Sequence, residues 1–83
     1  MTMHLITFKL IEGENEYEEF EVVQDASDYQ DIELIANYFG GTEPSKFDED
    51  TYIVLDGVNC KVHCIQPVSD SEVNTLRKLS IIP

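Results

Sequence analysis

Apolar and polar residues alternate with a period of two over residues 4–11. Ile6, Phe8 and Leu10 fall on one face, and Leu5, Thr7, Lys9 and Ile11 on the other. This pattern predicts a β-strand. Gly13-Glu14-Asn15 can adopt the positive φ that a chain reversal needs, and a second strand follows over 17–23 with Phe20 and Val22 on its apolar face. A three-residue loop would pair Glu12 with Glu16, Leu10 with Glu18, Phe8 with Phe20 and Ile6 with Val22. Lys9 would then face Glu19, and Thr7 would face Glu21, on the outer side.

The period then changes. Ile32, Ile35, Ala36 and Phe39 recur at helical spacing, flanked by Tyr29 and Leu34. Asp25-Ala26-Ser27 reads as the helix start, Ser27 with Gln30 as its capping box, and Gly40-Gly41 as its end. Residues 42–50 (TEPSKFDED) read as a loop. Two further strands, 51–55 and 58–65, flank Asp56-Gly57, a hairpin-turn signal. Their inner face would hold Ile53, Leu55, Val58, Cys60, Val62 and Cys64. Pro67 closes the strand, Ser69 and Glu72 form a second capping box, and Val73, Leu76 and Leu79 carry a short final helix that ends in Arg77 and Lys78.

The order is therefore β-β-α-β-β-α. An α+β fold covers it most simply, with a four-stranded antiparallel sheet and both helices packed on one face. The uncovered face would show Leu5, Ile11, Tyr17, Val23, Tyr52, Val54 and Ile65, apolar enough to predict a homodimer through it.

Composition narrows the function. The chain has 83 residues, read as a single domain over 1–83, with 42% apolar residues and eight aromatics counted from four Tyr and four Phe. Seventeen acids against five bases give a formal charge of −12. Such a field repels nucleic acid and anionic lipid, whose phosphates are bound through Lys and Arg. Basic protein surfaces suit it instead. Neither a signal peptide nor an apolar run of membrane-spanning length is expected, so the chain reads as cytoplasmic and non-membrane. Two cysteines fit a reduced compartment.

No catalytic constellation is visible. Cys60, His63 and Cys64 suggest a metal, but Cys60 and Cys64 on one strand face stand about 13 Å apart at the usual strand rise. That is too far to chelate one ion or form a disulfide. The acidic loop Asp48-Glu49-Asp50, with Glu43, lacks the alternating ligands of a calcium loop. Serines occur without a nucleophile elbow or phosphate-cradling loop. The chain reads as non-enzymatic, with no cofactor and no metal.

Charge is not evenly spread. Residues 12–33 hold ten of the seventeen carboxylates and no Lys or Arg. They cover the hairpin turn, the second strand and the first half of the helix. The candidate partner-binding residues are Glu14, Glu19 and Glu21 on the hairpin and Asp28 and Asp31 on the helix. Tyr17 and Tyr29 are aromatic anchors against an Arg-rich surface. The alternative is a self-associating structural or regulatory protein whose acidity serves only solubility.

In size, charge and its carboxylate-studded β-β-α stretch, the chain resembles the small acidic anti-defence proteins of phages and mobile elements, including anti-CRISPR proteins and DNA mimics. The resemblance implies an inhibitor whose carboxylates occupy a basic groove meant for nucleic acid, on a nucleic-acid-binding complex.

Overall fold

Leu5, Ile6, Thr7, Phe8 and Leu10 are all buried, so the first strand is apolar on both of its faces. A strand of this kind sits in the middle of a sheet with a layer on each side. The computed structural model describes residues 1–40, 44–55 and 57–82, with the side chain of Leu55 excepted. Gly41, Glu43 and Asp56, to which the sequence assigned a cap, a cation ligand and a turn, lie outside the described residues.

The strands are β1 (Met3–Glu12), β2 (Asn15–Gln24), β3 (Ser45–Lys46), β4 (Thr51–Leu55) and β5 (Val58–Val68); the helices are α1 (Asp31–Tyr38) and α2 (Asp70–Lys78). A short 3-10 helix, Ala26–Asp28, precedes α1. All strand pairings are antiparallel, in the order β2-β1-β5-β4-β3. The fold is α+β with a five-stranded sheet. The fifth strand is the two-residue β3, which lies inside the segment that reads as a loop.

The helices occupy opposite faces, not one. Ile6, Phe8 and Leu10 cluster with Leu34 and Ile35 of α1, Val58 and Cys60. Their neighbour Leu5 points the other way and clusters with Val73 of α2 and Ile82, joined by Phe20, Val22 and Leu76. Successive strand residues alternate between faces, so two cores share one sheet. The single apolar outer face anticipated from sequence is not assembled. Val23, Tyr52, Val54 and Ile65 pack on the α1 side, while Leu5 lies under α2. This removes the basis for a dimer through that face.

Two register effects produce the difference. Glu12 pairs with Asn15, so the first hairpin turns on two residues, Gly13-Glu14, rather than three. Gly13 has φ +60 and Glu14 is not among the positive-φ residues, the pattern of a II′ turn. The second effect is a pair of irregularities. Between Thr7↔Cys64 and Phe8↔Val62, β5 carries one extra residue, His63, and the β4–β5 register also shifts between Ile53 and Leu55. A bulge exchanges the faces of all that follows. Cys60 is thus buried on the α1 side, whereas Cys64 is exposed on the other, correcting the expectation that both share one buried face. An exposed-thiol reagent is therefore expected to modify Cys64 at once and Cys60 only after global unfolding. Two fast thiols in the native chain would contradict the bulge.

Pro67 lies within β5, opposite His4, rather than closing it. β4 pairs only as far as Lys61, so that stretch of β5 has a free flank where a missing amide costs little.

The first helix begins later than expected. Asp25 has φ +52 and is tied to the N-terminal segment: its amide donates to the Thr2 carbonyl at 2.7 Å, and its carboxylate accepts from the Thr2 amide at 2.9 Å. The buried Ala26 amide donates to Nδ1 of His4 at 3.2 Å. With this turn pinned to β1, the helix starts at Asp31, where the Glu33 carboxylate accepts from the Gln30 amide at 2.9 Å. The Ser27–Gln30 capping box is replaced by Gln30–Glu33.

In α2 the expected capping box forms. Ser69 Oγ accepts from the Glu72 amide at 3.2 Å and Glu72 accepts from the Ser69 amide at 3.0 Å. Its other end closes by two bonds, Ser80 N–H to Arg77 C=O and Ile81 N–H to Leu76 C=O, each 3.0 Å. This is the Schellman arrangement, and it turns Ile82 into the α2-side core. Its left-handed position is Ser80, φ +59, where glycine is favoured. Ser80→Gly is therefore expected to stabilise the chain by about 1 kcal/mol, read as a rise in the denaturant midpoint.

Candidate functional site

β2 is one edge of the sheet, ten residues long, and it carries Glu16, Glu18, Glu19 and Glu21. The register decides where each carboxylate points. Glu19 lies opposite Phe8 and Glu21 opposite Ile6, on the α1 side. Glu16 and Glu18 share the other face with Lys9, and Lys9 Nζ lies 2.6 Å from Glu16. Lys9 therefore engages Glu16, not the Glu19 that a three-residue loop would have brought opposite it. The Glu16 carboxyl is held below the usual range by its hydrogen bond and charge contact with Lys9.

Glu19 and Glu21, expected to be outward, are half-buried instead. A register change of one residue moves every side chain to the opposite face. Tyr38 of α1 stacks on Phe8 with centroids 4.7 Å apart, and Phe39 meets both rings edge-on. This places Tyr38 beside the two glutamates. Burial, then the Glu19 hydrogen bond and the two carboxylates, push its hydroxyl up to about 12. Oε2 of Glu21 is shielded from solvent and has no hydrogen-bond partner among the described residues, and burial raises its pKa.

That shielding has a pH consequence. Raised in the folded state, Glu21 favours folding fully below its unfolded pKa, and the benefit is lost as pH rises through the folded value. Glu21→Gln is expected to raise the melting temperature at neutral pH, with the gap closing at acid pH where both forms are uncharged. A gap that persists unchanged at acid pH would assign the effect to something other than ionisation.

The remaining sequence-predicted residues are spread along the molecule. Glu14 is exposed in the hairpin turn, and Tyr17 is 41% exposed on β2. Asp28 is exposed in the 3-10 helix, Asp31 opens α1 half-buried, and Tyr29 is 49% exposed. Turn and helix start lie at opposite ends of β2, a strand about 33 Å long. The acidic residues thus form a stripe along an edge rather than one cluster. Glu16 and Glu18, exposed on that edge, were not among the predicted contacts. The nearly continuous apolar run of β1 carries the signal for them, because a central β1 leaves β2 at the rim.

No protein-family model matches the chain, and no curated sequence or solved structure is significantly similar to it.

Two depressions border the stripe. One, of about 300 Å³, lies between Val23 of β2 and Tyr29, Glu33, Leu34 and Asn37. The other, of about 630 Å³, runs over the β2 edge itself and is lined by Glu18, Glu19 and Phe20. Its walls are Tyr38 on the α1 side and Arg77, Ile81 and Ile82 on the α2 side. Among the described residues there is no group of three or more His, Cys, Asp or Glu placed to hold a metal ion. Among the described residues no helix is long and apolar enough to cross a membrane.

Proposed function

We propose that the chain is a non-enzymatic acidic binding module that covers a basic, nucleic-acid-binding surface of a partner protein, in the manner of a phage-type inhibitor acting in the cytoplasm. The carrying observation is the linear array on β2. Glu16, Glu18, Glu19 and Glu21 place four carboxylates along roughly 17 Å of strand, a mean interval of about 5.5 Å. A strand of duplex DNA carries one phosphate per roughly 3.4 Å of axis. A rigid strand with a charge density of that order offers Lys and Arg side chains a substitute for a phosphate backbone, and the ordered sheet spares the partner the entropy of organising it. Tyr17, exposed between Glu16 and Glu18, adds an anchor for a guanidinium face.

The test has two stages. The immobilised chain captures its partner from cells that contain it, and the partner is identified by mass spectrometry. Purified partner is then bound in the presence of increasing DNA or RNA. Displacement by nucleic acid, with affinity falling steeply as salt rises, is the expected outcome. A partner that neither binds nucleic acid nor is displaced by it would sink the proposal.

A further inference from the structure

The free edge of β2 supplies more than charge. Glu12 and Asn15 flank the two-residue turn, so they form a mutually hydrogen-bonded pair. Bonding direction alternates along an antiparallel strand. Asn15, Tyr17, Glu19, Glu21 and Val23 therefore direct their backbone groups to β1, while Glu16, Glu18, Phe20 and Val22 direct theirs out of the sheet. Among the described residues no backbone bond from beyond the β1 ladder reaches these four. Of these, Glu18 and Phe20 lie in the floor of the roughly 630 Å³ groove, with Tyr38 on one side and Ile81 and Ile82 on the other.

We propose that this edge binds an extended basic segment of a partner, which adds to the sheet as a sixth strand antiparallel to β2. The inference deepens the functional reading above and rests on it. Charge decides the occupant. A second copy of β2 is excluded as a good fit, since registers overlapping Glu16–Glu21 bring carboxylates against carboxylates. The side chains along the edge specify a pattern. Glu19 and Glu21, on the α1 side, call for Lys or Arg opposite them. Phe20, on the α2 side beside Ile81 and Ile82, calls for an apolar residue. Exposed Glu16 calls for a third base. Read from its N-terminus, an antiparallel partner is basic, apolar, basic, two unrestricted positions, then basic. Backbone bonds supply affinity and alternate side chains supply selectivity, as in other strand-addition complexes.

The probe is a dye-labelled peptide with Arg-Val-Arg-Thr-Thr-Lys at its centre, compared with two versions N-methylated on alternate residues. The two versions block complementary sets of amides, and all three peptides carry the same charge. One pattern is expected to weaken binding by about tenfold or more, through loss of backbone bonds, while the other binds nearly as the parent. Amide exchange at Glu18 and Phe20 should slow on binding. In the protein, Glu18→Pro removes an outward amide and Glu18→Gln removes only the charge. The proline variant should bind the peptide about tenfold more weakly than the glutamine variant. Equal binding of both methylated peptides, or unchanged exchange at Glu18 and Phe20, would leave docking by charge alone. Absence of binding by the parent peptide at low salt also overturns strand addition. The functional reading is separately decided by nucleic-acid competition for the captured partner.

Discussion

Phe8→Ala removes a large share of the chain's stability. Phe8 is fully buried at the centre of β1, stacked on Tyr38 and edge-on to Phe39. Truncating such a ring costs about 3–5 kcal/mol, the lost transfer energy plus the cavity left where the sheet cannot collapse. A domain of this length has a total margin of roughly 4–12 kcal/mol. The melting temperature should therefore fall by on the order of 15–30 °C. Phe47→Ala is the control, since Phe47 is 62% exposed and should change little. Thermal denaturation of both variants checks the assignment. Equal effects would mean that the α1-side core is not where stability resides.

Reversing charge along the stripe is the second large effect. Glu14, Glu18 and Asp28 are exposed and lie in the turn, on the edge and before α1. Changed together to Lys, they alter the chain's charge by six units while avoiding the half-buried Glu19 and Glu21, where a lysine would also disturb packing. Exposed positions away from caps and cores tolerate substitution, so the native fold is expected to persist. Association with the captured partner at low salt should slow by roughly 10-fold to 1,000-fold, because steering by a concentrated field acts on encounter. The dependence of affinity on salt should flatten in parallel. Stopped-flow association at two ionic strengths measures both. Rates that match those of the unmodified chain would make the stripe a solvated surface and nothing more.

Local chemistry was legible in the sequence. The alternation over residues 4–11 sufficed for a strand because period two is a property of the strand itself. Ser69 and Glu72 sufficed for the start of α2, since a capping box closes within four residues. The concentration of carboxylates on the first hairpin also required no tertiary information. What the sequence could not assign was the face each residue takes. Phe20 pairs across from Thr7 rather than Phe8 because the turn spans two residues and not three. Both registers satisfy alternation and both place a base near an acid. The choice falls to packing: β1 is apolar on both sides, and only a helix on each face buries Leu5 and Phe8 together. With that register, Glu19 and Glu21 turn inward beside Tyr38, and Glu16 and Glu18 become the exposed pair. The irregularity at His63 then separates Cys60 from Cys64. Strand identity comes from nearest neighbours along the chain, whereas register, bulges and strand order depend on contacts between segments far apart in sequence, and these formed only with the tertiary structure.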